Sequence, residues 1–486
     1  MKQVGHIIGS QEVPSVAGKT FLSINPATEE PLAEVAEGAP EDVDCAVRSA
    51  RRAFDEGPWS RMPPWERGRL LARVADIIRH RNDELALLDA LDCGKPLKDN
   101  KYGDLPLCAR IFDYYAGVPD KATSRVFPSE SWLFNFSLRE PYGVVAGIVP
   151  WNYPFLNSCI KLAPALAAGN TVVLKMAEQT PLSTVELGKI CLEAGIPPGV
   201  VNVVNGGSET GASLVSHPLM DKISFTGSTE TGKKILHAAA ERIVPVTLEL
   251  GGKSPMVVFA DAEMEQAVAG VLFSGFFNAG QICTTGSRLL VEESIAEEFL
   301  ARLSKKVATL RMGDPASEET DLGPLVDRIQ FERVKEYIRV GQAEGARSYF
   351  VGNGSKPSRG YFVSPVIFTG VQPTMRIAQE EIFGPVLSVL TFREESEAMA
   401  LANSVVYGLA ASLWTTNLGR AMRMARAIQA GIVWTNTVEY WEPSVPYGGQ
   451  KQSGLGEDFG LEAYYTYTKA KSVFVNLTDS KLAWGP

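Results

Sequence analysis

Cys283 stands in the segment Phe276-Phe277-Asn278-Ala279-Gly280-Gln281-Ile282-Cys283-Thr284, whose flanks are small and polar where a core element would be bulky. Upstream, Glu249 closes the apolar run Val246-Thr247-Leu248-Glu249-Leu250 just before Gly251-Gly252-Lys253. A thiol and a carboxylate, each at the edge of an apolar element, suit a covalent nucleophile and a base for a second chemical step. Six cysteines occur, and a lone cysteine is more often a small buried hydrophobe, so the pair needs support from the rest of the chain.

Other segments supply it. Val149-Pro150-Trp151-Asn152-Tyr153-Pro154 follows a predicted strand. Asn152 there offers a neutral amide donor of the kind that stabilises an oxyanion, or else caps the helix opened by Pro154. Leu174-Lys175-Met176-Ala177-Glu178 sits past a second predicted strand. Lys175 and Glu178 at that edge could bond ribose hydroxyls, and Glu178 would repel a 2′-phosphate, favouring NAD over NADP. The plainer reading is a surface ion pair. Phe225-Thr226-Gly227-Ser228-Thr229-Glu230-Thr231-Gly232 runs from strand into helix, and Gly206-Gly207 forms a second such turn. Free amides and the positive helix end at such turns attract phosphate, which makes Gly207, Phe225, Gly227, Ser228 and Thr231 candidate cofactor residues. Neither turn matches G-x-G-x-x-G, so the standard dinucleotide fingerprint is absent.

Composition narrows the classes. At 486 residues the chain is too long for one ordinary core. A formal charge of −9 argues against nucleic acid or an anionic membrane surface as partner. The cysteines form no CxxC pair, and none of the four histidines sits in HExxH, so no metal site and no zinc hydrolase is indicated. A cysteine hydrolase would need a histidine base in a motif context that none of the four shows. No apolar run is long enough for a membrane span and the start lacks a signal peptide's apolar stretch, so a cytoplasmic protein is expected.

The elements that must position these groups alternate. Residues 41–119 read as mostly helical, with Pro64 to His80 as one helix. Short β-branched runs follow at Val144–Val149, Thr171–Leu174, Val200–Val204, Lys222–Phe225 and Val244–Leu248, separated by helices beginning near Pro154, Pro181, Glu209 and Thr229. Such alternation predicts an α/β fold with a doubly wound parallel sheet. A second α/β domain restarts after Gly251-Gly252, with strands at Pro255–Phe259, Arg288–Val291, Val363–Ile367, Val386–Leu390 and Ile432–Thr435, and helices over Glu263–Asn278 and Ile295–Leu310. Two ribbons, Trp132–Arg139 and Lys471–Leu477, fit neither domain; they are hairpin edges or strands that pair across a subunit boundary.

In order along the chain, the segments resemble the aldehyde dehydrogenase family from end to end. The resemblance is carried by Pro150-Trp151-Asn152-Tyr153-Pro154, Lys175 with Glu178, Phe225–Thr229, Glu249–Lys253, Gly280–Cys283, Glu381-Ile382-Phe383-Gly384-Pro385, and Pro446–Gly449 before Ser453-Gly454. It implies Cys283 as nucleophile, Glu249 as general base, and Asn152 with the Cys283 amide as oxyanion hole. It further implies Trp151, Lys175, Glu178, Ser228, Glu381 and Phe383 around NAD, and Tyr153, Trp441 and Tyr447 near the aldehyde. The small-molecule substrate would be oxidised through a cysteine thioester. A coenzyme-A-acylating relative is an alternative; such members lack the glutamate at position 249. The family architecture implies an NAD-binding domain (1–124 and 142–251), a catalytic domain (252–450) and bridging segments (125–141 and 451–486) that build a homodimer or homotetramer. Gly456-Glu457-Asp458-Phe459 departs from the family's frequent Gly-Arg-Glu, and that region is left out of the expected site. Glu439 and Glu442 beside the aromatics would suit a cationic amino- or trimethylammonio-aldehyde, or face solvent beside an apolar or aromatic substrate; Ile160, where ammonium-binding relatives often place an aromatic, counts against the cation.

Overall fold

The computed structural model describes residues 1–352 and 357–478 of the chain; the last eight residues of the expected 451–486 bridging segment lie outside them. Continuous β-branched runs make strands buried on both faces, as Val144–Val149 and Thr171–Met176 are at every residue. Val144–Val149 has Thr171–Met176 and then Val201–Val203 on one side, and Lys222–Thr226 and then Val246–Glu249 on the other, all parallel. Successive residues feed two different cores. Val145, Val149, Val172 and Leu174 pack with Leu71, Phe112, Phe155 and Leu162, whereas Val144, Ala146, Ile148 and Val173 pack with Val43, Val47, Leu214 and Ile235. The winding reverses between Val144–Val149 and Lys222–Thr226, and such a reversal opens a crevice at the carboxyl ends of the strands.

The edges of this sheet come from distant chain. His6–Ile8 pairs antiparallel with Val201–Val203, and Gly454–Leu455 pairs antiparallel with Val246–Glu249. The second sheet runs in the order Arg347–Val351, Val366–Thr369, Val386–Phe392, Arg288–Glu292, Pro255–Val258, Ala410–Trp414, Ile432–Thr435, parallel except for its first strand. Its second strand begins at Val366 instead of the expected Val363, directly after Pro365, which has no N–H to give a ladder. The two ribbons pair with each other: Leu133–Pro141 and Thr468–Asn476 run antiparallel in register from Thr468↔Pro141 to Asn476↔Leu133, with Val126–Phe127 on the outer side. Between them and the large sheet, the helix Gly460–Thr466 buries Ala463 and Tyr464 in the same core as Phe155 and Leu162.

Candidate active site

The nucleophile's segment is shaped by a helix that stops early. The expected 263–278 helix spans Met264–Phe276, and then Asn278 and Ala279 turn left-handed (φ 48° and 52°). Gly280 follows at φ 72°, and a Cβ there would lie 2.2 Å from the Gly384 carbonyl oxygen, so only glycine lets this loop press on that strand entry. The loop delivers Cys283, partly exposed, into a cavity of about 630 Å³. From the other sheet, the turn after Glu249 lies beneath it: a Cβ on Gly252 would sit 2.4 Å from the Cys283 carbonyl oxygen.

Asn152, at the end of Val144–Val149, meets the same loop. Its side-chain amide donates to the Gln281 carbonyl at 2.9 Å, and the Asn278 amide donates back to the Asn152 carbonyl at 3.2 Å. The N-cap reading of Asn152 is therefore corrected: Pro154–Ala167 begins at Tyr153 without a side-chain cap. One amide hydrogen fixes the group and the second is left for the cavity that Asn152 lines.

Glu249 lines that cavity too, is 5 % exposed, and its Oε2 has no hydrogen-bond partner among the described residues. Burial holds its carboxyl well above the usual range; Asp458 and then Glu457 add to this and Lys161 opposes it. Burial likewise pushes the Cys283 thiol up to about 12, the Tyr447 hydroxyl at 3.3 Å opposes, and the carboxyls of Glu439, Glu381 and Glu249 add to the rise. Burial thus works against the charged form of both groups.

The cavity lining includes Pro150, Trp151, Thr226, Gly227, Ser228, Glu381 and Phe383. Trp151 and Phe383 meet edge to face at 5.1 Å. Glu381 accepts from the Gly252 amide at 3.1 Å, and a Cβ on Gly251 would come within 2.3 Å of its other oxygen. Gln330 and Arg333, on the helix Arg328–Ala343, donate to the carbonyls of Phe383 (2.7 Å) and Glu381 (2.7 Å) and pin this loop. Ser228 caps the helix Thr229–Ala240 by accepting from the Thr231 amide at 3.2 Å. Phe225 is 5 % exposed in the core, and its ring lies 2.4 Å from where a Gly227 Cβ would be, so its side chain supports the turn and does not line the cavity. Lys175 and Glu178 lie at the carboxyl end of Thr171–Met176, Gly207 follows Val201–Val203, and Thr231 is in the first turn of the helix after Lys222–Thr226, all outside the cavity lining. Lys175 is more than a surface charge: its side chain is 8 % exposed, and burial lowers its pKa while Glu178, 3.8 Å away and half exposed, raises it. The buried Thr226 hydroxyl has no hydrogen-bond partner among the described residues. An unpaired hydroxyl, a capped helix end, a buried lysine and a cradled carboxylate along one strand-end crevice fit a nucleotide with ribose and phosphate groups.

The cavity lining also includes an aromatic and aliphatic set: Tyr153, Leu156, Ile160, Phe273, Phe277, Trp441 and Tyr447. Trp441 stacks on Tyr447 at 4.7 Å, and Phe459 stands edge-on to both. Three acids here are already engaged. Asp104 is paired with the buried Lys95, which lies 3.8 Å over the Tyr153 ring. Glu442 pairs with Arg110 at 2.6 Å. The solvent-facing reading of Glu439 is corrected: although the residue is only half-buried, its carboxyl turns inward to accept from Thr284 (2.6 Å) and Ser274 (3.1 Å), and burial raises it to about 7. Asp458, set aside on sequence, lines the cavity, and pairs with buried Lys161 at 2.6 Å. Among the described residues no group of three or more His, Cys, Asp or Glu is arranged to hold a metal, and no helix is long and apolar enough to cross a membrane.

The aldehyde dehydrogenase family model matches residues 13–473. Aldehyde dehydrogenase family 2 member B4, mitochondrial, of Arabidopsis thaliana is 45 % identical over 99 % of this chain and 90 % of its own length. Benzaldehyde dehydrogenase, mitochondrial, of Antirrhinum majus is 43 % identical over 98 % of this chain and 89 % of its own. An aldehyde dehydrogenase from Bacillus cereus, solved as an NAD+ complex, superposes with a TM-score of 0.96 at 43 % identity, covering 98 % of this chain and 97 % of that one. The chain belongs to the aldehyde dehydrogenase family.

Proposed function

We propose that this chain catalyses the NAD-dependent oxidation of an apolar or aromatic aldehyde to the carboxylic acid through a covalent adduct on Cys283. The observation that carries the reading is that Cys283, Asn152 and Glu249, the last with a buried Oε2 that has no hydrogen-bond partner among the described residues, line one cavity together. Cys283, once ionised, attacks the carbonyl carbon, and the second Asn152 amide hydrogen meets the oxyanion of the thiohemiacetal. NAD, when bound, supplies the hydride acceptor that leaves a thioester. Trp151, Gly227, Ser228, Glu381 and Phe383 would hold it near the sulfur, and Lys175, Glu178, Gly207 and Thr231 farther along the strand ends. Glu249, as the carboxylate, takes a proton from water, and the resulting hydroxide equivalent attacks the thioester carbon, releases the acid and frees the sulfur.

An apolar or aromatic aldehyde is favoured over a cationic one because Asp104, Glu439 and Glu442 are each already satisfied by Lys95, by Ser274 and Thr284, and by Arg110. In this reading residues 1–124 and 142–251 serve the dinucleotide and 252–450 carry the nucleophile. Segments 125–141 and 451–478 bring exposed Trp132, Phe134, Phe474 and Val475 to a homodimer or homotetramer contact. Six cysteines without a disulfide suit a reducing, cytoplasmic setting.

The test is Glu249→Gln. A first-turnover burst of NADH should remain, with steady-state turnover lost and no change of product on adding coenzyme A. Equal loss of burst and turnover would contradict the division of labour.

A further inference from the structure

We propose that Tyr447 is a catalytic hydrogen-bond donor to the Cys283 sulfur, holding it as a thiolate directed into the cavity; this rests on the cysteine chemistry above and adds a residue to it. The Tyr447 hydroxyl lies 3.3 Å from Sγ and is the sulfur's only hydrogen-bond partner among the described residues. Its ring is held on two sides. Trp441 stacks on it at 22° and Phe459 stands at 90°, while the backbone N–H and carbonyl of Tyr447 both bond Asp458, at 2.7 and 2.6 Å. The hydroxyl cannot swing away without undoing the stack, so it is a fixed group at the reacting atom.

The charges around the sulfur make that group useful. Glu439, Glu381 and Glu249 all disfavour a negative sulfur, and Tyr447 opposes them. Tyr447 is itself held well above the usual phenol range by burial and then by the Cys283, Glu249 and Glu439 charges, so it keeps its proton and acts as a donor, never as the base. When Cys283 ionises, the S–H bond breaks with both electrons left on sulfur and the proton passes to water. The Tyr447 O–H then bonds the sulfide lone pair, a charge-assisted contact stronger than the neutral one it replaces. Formation of the carbon–sulfur bond consumes that lone pair and frees the hydroxyl, with no change in oxidation state.

The experiment is the pH profile of Cys283 alkylation by iodoacetamide in the full chain, resolved by peptide mass because Cys45 is also exposed. Tyr447→Phe keeps the ring stack and removes the donor. The midpoint should rise by about one to two pH units. Alkylation and the NADH burst at neutral pH should fall about ten- to a hundredfold and recover as pH is raised. A midpoint equal to or below the parent's overturns the proposal. Should Tyr447→Phe fail to fold, 3-fluorotyrosine at 447, a stronger donor of nearly the same size, should lower the midpoint; an unmoved profile has the same negative force. Cys283→Ser separates the two layers. If it still forms NADH from aldehyde, the cysteine mechanism itself fails; if it is dead while Tyr447→Phe titrates like the parent, only the role of Tyr447 fails.

Discussion

Asn152→Ala tests the oxyanion site most cleanly, because the structure divides the work of that amide between two hydrogens. One is spent on the Gln281 carbonyl at 2.9 Å and orients the group; the other makes no hydrogen bond among the described residues, and Asn152 lines the cavity. Truncation removes both, yet the Gln281 carbonyl keeps a longer bond from Asn278 at 3.4 Å, so it is not stranded. The stability loss should therefore stay near the low end for a lost buried hydrogen bond, about 1 kcal/mol. Catalysis should lose far more. A preorganised donor at a developing oxyanion contributes about 3–4 kcal/mol, so kcat for the hydride step should fall roughly 10²- to 10³-fold. Stopped-flow NADH bursts give that rate, steady-state kinetics give kcat and KM, and the alkylation rate of Cys283 checks that the sulfur has not moved. Asn152→Asp, of the same shape, puts an acceptor where the donor was and should lose at least as much. A variant whose KM rises while kcat stays within about tenfold of the parent would place Asn152 in uniform substrate binding and refute the reasoning.

Two further outcomes follow from groups away from the sulfur. Asp89 is 1 % exposed, and burial raises it to about 7, with the Ser183 hydroxyl opposing. Its folded value lies above the unfolded one, so between about pH 4 and 7 the unfolded chain ionises while the folded one does not, and stability is lost as pH rises. Asp89→Asn should gain stability over the parent by up to about 1.4 kcal/mol per pH unit across that window in urea unfolding, and a difference flat in pH would contradict this. Glu178→Gln removes the negative charge beside Lys175, and kcat/KM for NADP relative to NAD should rise about tenfold; an unchanged ratio would move the ribose site elsewhere.

The large parallel sheet was readable in the sequence because strands buried on both faces leave unbroken β-branched runs, as at Val144–Val149 and Thr171–Met176. Partly exposed strands carry no such mark: Thr20–Asn25 and Glu30–Ala36 mix exposed, half-buried and buried residues, and their sequences hold no unbroken apolar run. The helix before the nucleophile ends at Phe276 because the loop must fit against Gly384, a contact no local pattern announces. Glu439 turns inward for hydroxyls on Ser274 and Thr284, and Asp458 finds Lys161 from the far end of the chain. These are long-range pairings of polar residues, which have no periodicity to betray them. Gln330 and Arg333 likewise look like ordinary helix-surface residues until the Glu381–Phe383 loop is laid against them.

The most direct measurement is acid-quench mass mapping of Glu249→Gln after one turnover with aldehyde and NAD. The acyl mass should appear on the peptide carrying Cys283, in an amount matching the NADH released. An NADH burst with the acyl group on any other residue, or on none, would contradict the covalent role of Cys283.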